Sequence, residues 1–210
     1  MARLTAPDRA PMLNDLEAAV TAARQLFGAA ACSCALVDDD GGELEFVAAS
    51  GAGADAIIGV RLPVNRGIAG WAATSGEPIG VADVERDARF ARDVAESTAY
   101  IPKTVLAAPL MSWEGEVSGV VEILDPGRQD SESRLGEHRG TGAELGVLTL
   151  VASQLAAVVR LHGELSSAQH PETGDELDAS LRSLVGVGPE GRRLAATVLE
   201  AVAEFVEGSR

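Results

Sequence analysis

At 210 residues the chain has room for one ordinary domain and some additional helix, and too little for two full domains. Hydrophobic residues make up 46% and charged residues 23%, which excludes a chain that is disordered throughout, while aromatic residues reach only 3%, so Val, Leu, Ile and Ala must do most of the packing. The net charge of −15 repels phosphate backbones and anionic bilayers, which argues against nucleic acid or a membrane as a partner.

Residues 1–11 carry two prolines and no periodicity, and read as a flexible lead-in. From Met12 to Phe27 the apolar positions Leu13, Leu16, Val20, Ala23 and Phe27 follow the alternating spacing of a helix seam that packs on another helix. Cys32–Val37 and Glu43–Val47 are strand-like runs joined by Asp and Gly, which predicts a β-hairpin. A third strand is expected over Val60–Val64. The Ala- and Gly-rich stretch from Gly67 suits a short helix lying close to a sheet, with Gly76 placed to end it. A short edge strand over Pro78–Ala82 and a second short helix over Asp87–Ala95 follow.

Strands over Thr104–Ser112 and Glu116–Leu124 turn at Glu114-Gly115, and polar, glycine-containing residues from Asp125 to Gly142 predict an exposed loop. Leu145–Leu161 is the longest helical segment, and its apolar residues cover more than one face. Residues 163–188 read as an acidic linker with a weak helical signal at Asp175–Leu184. Residues 189–210 read as a C-terminal amphipathic helix with Leu194, Val198, Val202 and Phe205 on one stripe. This order predicts an α+β fold: an antiparallel sheet with helices packed on it, the N- and C-terminal helices forming a bundle face.

The run from Gly59 to Phe90, the run from Thr98 to Leu110 and the strand from Gly115 to Leu124 together resemble a GAF domain. The resemblance rests on an ordered series: Gly67-Ile-Ala-Gly70 before Trp71, Gly76-Glu-Pro78, Asp83 to Phe90, Lys103 before a strand containing Pro109-Leu110, and Gly119-Val120. It spans about Leu13 to Val159, and the domain is drawn over residues 12–162. The resemblance implies a sensory or regulatory module of cytoplasmic signalling, commonly dimeric and without catalysis of its own. Its ligand, where there is one, sits between the sheet and the short helices. By resemblance the ligand-binding wall comprises Trp71, Asp83, Phe90, Tyr100 and Thr104, with Lys103 at the mouth.

The residues narrow the ligand without naming it. The Asn-Lys, Phe and Asp-Glu motif of cyclic-nucleotide GAF domains is missing, since no Phe lies between Phe90 and Phe205. The methionine-sulfoxide-reducing members use cysteines in the central loops, whereas the only cysteines here, Cys32 and Cys34, alternate on the first strand and read as small core residues. Two cysteines are too few for a disulfide scaffold and suit a reducing compartment; as two of four tetrahedral ligands they are weak evidence for a metal site shared by a dimer. His138, His162 and His170, the available haem ligands, all follow the last strand. No catalytic constellation and no phosphate-cradling loop can be assembled.

Nine acids against four arginines in residues 161–210 exclude a basic, RNA-binding tail. No leader-like apolar stretch opens the chain, and no uninterrupted apolar run of about 18 residues occurs, so a cytoplasmic location is expected. The reading that follows is a non-catalytic sensor, its cofactor unknown, that binds a small molecule. It is expected to act as a homodimer, through its helix interface, on a separate effector protein. The alternative is a ligand-free interaction or dimerisation module.

Overall fold

The computed structural model describes residues 6–38, 40–127 and 142–169. Its elements are α1 (Ala6–Leu26), β1 (Ala31–Val37), β2 (Glu43–Gly51), α2 (Ala54–Ile57), β3 (Arg61–Pro63), α3 (Gly67–Ser75), β4 (Ile79–Val81), α4 (Arg92–Ser97), β5 (Val105–Met111), β6 (Val117–Leu124) and α5 (Gly142–Gln169). The strands form one antiparallel sheet in the order β3-β2-β1-β6-β5-β4, which is the α+β arrangement expected. The hairpins β1–β2 and β5–β6 lie side by side, so the first and last strands pair at the centre.

Alternation along the central strands divides the core in two. Cys32, Cys34, Leu36, Leu106, Leu110, Val121 and Ile123 point to one face, where they pack with Met12, Leu16 and Val20 of α1 and with Leu148, Leu155 and Val159 of α5. Ala35, Leu44, Phe46, Val105, Ala107 and Val120 point to the other, covered by Ile68, Ala69, Ala72 and Ala73 of α3 and by Val84 in a single 3-10 turn. Small residues let α3 lie close to the sheet. The β1–β2 register shifts between Cys34 and Ala35, where Val47 is an extra residue on β2: Phe46 joins one core face, and Val47 and Ala48 join the other. Gly119 permits the close approach of β6 to β1, since a Cβ there would stand 2.4 Å from the Ala35 carbonyl oxygen.

Local signals account for several boundaries. The Asp38 carboxylate accepts the N–H groups of Gly42 (2.8 Å) and Glu43 (3.0 Å), closing the β1–β2 turn. Gly76, at φ 68°, ends α3 with its N–H on the Ala72 carbonyl.

Two boundaries differ from expectation. The lead-in is already helical from Ala6, and Arg9 reaches Glu45 on β2 at 3.2 Å, a long-range contact that periodicity cannot reveal. The helix expected over Asp87–Ala95 starts instead at Arg92, because the Asp87 carboxylate captures the Arg89 N–H at 2.9 Å and offers the backbone a turn in place of a helical turn. The expected linker, the C-terminal helix and most of the loop after β6 lie outside the described residues.

Helix α5 carries two apolar faces. Leu148, Ala152, Leu155 and Val159 are buried on the sheet, whereas Val147, Leu150, Leu161 and Leu165 form a second stripe at helical spacing that is exposed among the described residues. The stretch Gly142–Ser166 is long and apolar enough to cross a bilayer by length and composition, criteria that a core helix also meets. His162 Nε2 lies 2.9 Å from the Asp15 carboxylate, which ties α5 to α1.

The two faces of α5 should separate in mutation. Leu155→Ala is expected to cost about 2–5 kcal/mol in urea unfolding, because it opens a cavity against the sheet. Leu150→Ala, at a position 63% exposed, is expected to cost no more than about 0.5 kcal/mol at concentrations where the chain is monomeric.

Candidate functional site

The face of the sheet under α3 is incompletely covered. Between β1, β2 and β6 below and α3, α4 and the loop after α4 above, a cavity of about 100 Å³ remains. Phe46, Ile57, Leu62, Ile68, Phe90, Val94, Val105 and Leu124 give it apolar walls. Its polar side chains are Ser33, Ser50, Thr98, Tyr100 and Glu122, and no Lys, Arg or His lines it among the described residues.

Glu122 stands in the middle of β6, directly opposite Ser33 on β1 and Ala107 on β5. The β6 alternation sends its side chain to the cavity face, between Val120 and Leu124. Among the described residues no hydrogen bond or ion pair reaches its carboxylate. Burial alone pushes its pKa up to about 7, since little there compensates the charge. Ser33, 6% exposed, likewise has no side-chain hydrogen-bond partner among the described residues.

The roof is held by a different carboxylate. Asp125, at φ 50°, accepts the N–H groups of Lys103 and Thr104, each at 3.0 Å, and the Tyr100 hydroxyl. These bonds fasten the loop after α4 to the end of β6 and set the Tyr100 ring at the cavity edge. On the other side of the opening Gly53, at φ 74°, lets the α2 segment approach the same loop, since a Cβ would stand 3.1 Å from the Thr98 carbonyl oxygen.

Of the six residues that the resemblance assigned to the wall, the structure brings Phe90 and Tyr100 into the lining. The other four lie outside it. Trp71 is half-buried on α3, with the Arg89 guanidinium 5.2 Å from its ring centroid. Arg89 is held there by Asp87 through bonds of 2.8 and 2.6 Å, and the same pair lowers the Asp87 pKa to about 2. Asp83 is exposed and pairs with Arg86 at 3.3 Å. Thr104 is buried, its hydroxyl directed to the Ala82 carbonyl at 3.4 Å. Lys103 points its side chain to solvent, and only its backbone takes part in the Asp125 bonds.

Glu122, Ser33 and Asp125 were not singled out from the sequence. An acid at an alternating position inside an otherwise apolar strand was the available signal for Glu122. The Cys32 and Cys34 thiols pack in the core under α1 and α5, and burial pushes both pKa values up, Cys34 to about 12, so both stay protonated.

The Glu122 shift has a sign that can be measured. Its folded pKa lies above the unfolded value, so the folded state binds the extra proton between about pH 4.5 and 7. Stability contributed by this group is therefore present below that window and is lost as the pH rises through it. The change is at most on the order of 3 kcal/mol. Glu122→Gln is expected to flatten the dependence and to raise the melting temperature at about pH 8 relative to the parent. Urea titrations at several pH values check this, and parallel curves for the two proteins would contradict it.

Comparison with known proteins gives concordant findings. The chain is 24% identical, with a TM-score of 0.60, to the GAF domain of a phosphoenolpyruvate-protein phosphotransferase from Coxiella burnetii, over 75% of this chain and 86% of that one. The second GAF domain of DevS from Mycobacterium smegmatis aligns at 20% identity and a TM-score of 0.55, over 77% and 99% of the two chains. A type II free methionine-R-sulfoxide reductase from Thermoplasma acidophilum aligns at 14% identity and a TM-score of 0.56, over 74% and 96%. At these identities the likeness concerns the fold.

Among curated proteins, a dual cyclic-AMP and cyclic-GMP phosphodiesterase 11A of Takifugu rubripes is 32% identical over 66 residues, which is 31% of this chain and only 7% of that protein. The GAF domain family model matches residues 13–159. With the six-stranded antiparallel sheet and its layered helices, that match places the chain in the GAF domain family.

Proposed function

We propose that the chain is a non-catalytic sensor that captures a small molecule in the cavity between the sheet and α3–α4 and signals through its long helices. The observation that carries this reading is the cavity itself. A domain serving only as a packing block gains nothing from an open chamber with an uncompensated carboxyl on its floor, and filling it would recover buried area at about 25 cal/mol per Å². The α3–α4 roof rests on short elements and a few bonds to Asp125. Its position is thus the part of the fold most open to change when a ligand arrives.

The non-catalytic reading draws on the state of the groups present. Cys32 and Cys34 are the only cysteines in the chain, and both are buried and protonated, unlike reactive thiols. The cyclic-nucleotide activity of the phosphodiesterases belongs to those much longer proteins. In this cavity a phosphate would meet Glu122 and no lining cation among the described residues.

Output through a homodimer acting on a separate cytoplasmic effector is favoured by the second stripe of α5. Val147, Leu150, Leu161 and Leu165 lie along one side of a helix whose other side is already packed on the sheet. A facing copy would remove them from water in the manner of a helix bundle. The same stripe favours the second reading, in which assembly is the whole function and the cavity stays empty.

Native mass spectrometry of freshly purified full-length chain distinguishes the two. The expected result is a dimer with a reproducible non-covalent adduct. Ala95→Leu, which projects a larger side chain into the cavity from α4, is expected to lose the adduct and keep the dimer. Leu150→Glu combined with Leu161→Glu is expected to give monomers in sedimentation. A bare dimer from parent and Ala95→Leu alike would support the assembly module, and a monomeric parent would remove the helix interface from the proposal.

A further inference from the structure

The cavity floor has a polarity that its walls lack. Glu122 and Ser33 are register partners on the two central strands, both on the cavity face and both without a side-chain hydrogen bond among the described residues. Glu122 is half-buried and both side chains open into the cavity, so the adjacent carboxylate and hydroxyl present hydrogen-bonding oxygens to whatever enters it. Around it the surfaces are apolar: Phe46, Ile68, Val94, Val105 and Leu124. The Tyr100 hydroxyl at the rim donates to Asp125.

We infer that the cavity selects a small amine: a protonated nitrogen that donates to the Glu122 carboxylate and the Ser33 hydroxyl, carried on an apolar body that fills the space under α3 and α4. This rests on the sensor reading and gives it a ligand class.

Two observations argue against anions and purely apolar molecules, and a third favours a cation. Carboxylates and phosphates would approach Glu122 with like charge and find no Lys, Arg or His in the lining. A purely apolar molecule would seal the carboxyl away from water without a partner, at the cost of an unmade charged hydrogen bond. A cation, in contrast, is drawn toward a protein of net charge −15 and offsets the burial of the carboxylate once inside.

The groups around Glu122 are few. Cys32 on β1 couples to it electrostatically, Arg24 of α1 reaches the Ser50 hydroxyl at 3.1 Å and Cys32, and Tyr100 comes from the loop above. β5 contributes Val105 and Ala107, and α3 contributes Ile68 and Ala69, none of which titrates. With Glu122 titrating near 7, the carboxylate needed for pairing is present above that pH and disappears below it.

The test uses three probes of matched shape on the full chain, benzylamine, benzyl alcohol and benzoate, read by ligand-observed NMR titration at about pH 8 and about pH 5. Benzylamine is expected to bind between about tenfold and hundredfold more tightly than the other two at the higher pH. That advantage should vanish at the lower pH, where the amine is still protonated and the carboxyl is not ionised, and vanish in Glu122→Gln at either pH. A Ser33→Ala variant, which keeps the charge and removes one acceptor, should retain part of it.

Equal binding of benzyl alcohol and benzylamine, or a preference for benzoate, would overturn the amine assignment and leave a ligand-binding cavity standing. Failure of all three probes on folded protein would overturn the assignment together with the sensor reading.

Discussion

Asp125 is the residue on which the ligand-sized space depends. Its carboxylate accepts two consecutive backbone N–H groups and a phenol, its own N–H donates to the Thr104 carbonyl, and Ala30 approaches it from the α1–β1 connection. One residue thus joins the end of β6, the start of β5, the entry to β1 and the roof loop. The left-handed backbone at φ 50°, uncommon for a residue with a side chain, is what turns the carboxylate back toward that loop. Beside these bonds the segment from Tyr100 to Thr104 is held by the Val84 N–H on the Lys103 carbonyl and by the Thr104 hydroxyl on the Ala82 carbonyl.

The two faces of the sheet divide the labour. Under α1 and α5 the core is dense and made of long aliphatic side chains, and here sit the fully buried Leu16, Leu106, Leu110, Leu148 and Leu155. On the other face α3 packs mainly through Ala69, Ala72 and Ala73, which sets a short helix close to the sheet and leaves volume beside it. Stability is concentrated on the first face, so the second can hold an uncompensated carboxyl and an open chamber at a cost the domain tolerates. That asymmetry also couples the faces. Cys32 and Cys34 on the helix side alternate with Ser33 on the cavity side of the same strand, so β1 is shared by the cavity and by the core under α1 and α5.

Much of this architecture was legible in the residues. Strand-like runs and the Asp and Gly turns between them marked the strands to within a few positions, Gly76 marked the end of α3, and the two-sided apolar pattern of α5 marked a helix with more to bury than one sheet face accepts. What escaped was set by tertiary contacts. Arg9 draws the first helix back to Ala6 by pairing with Glu45, and Asp87 delays α4 by taking the Arg89 N–H. Neither contact has a local period. Site residues carried over by resemblance fared unevenly for a related reason. Trp71, Asp83, Thr104 and Lys103 lie around the chamber and outside its lining, held by contacts to Arg89, Arg86, Ala82 and, through the Lys103 backbone, Asp125.

Glu122 shows why the chemistry of such a site is harder to read than its fold. In sequence it is one acid among thirty-two acidic residues, in a strand whose other members are unremarkable. Its meaning comes from strand order, which no local pattern states. Because β6 lies between β1 and β5, a side chain on its cavity face has Ser33 on one side and Ala107 on the other, and it opens into the chamber. On an edge strand the same glutamate would be a solvated charge of no consequence. At the centre of the sheet its ionisation is tied to whatever occupies the space above it. Proton binding at Glu122 and the stability of the fold are thereby linked, and in the proposed sensor a ligand would join the same equilibrium.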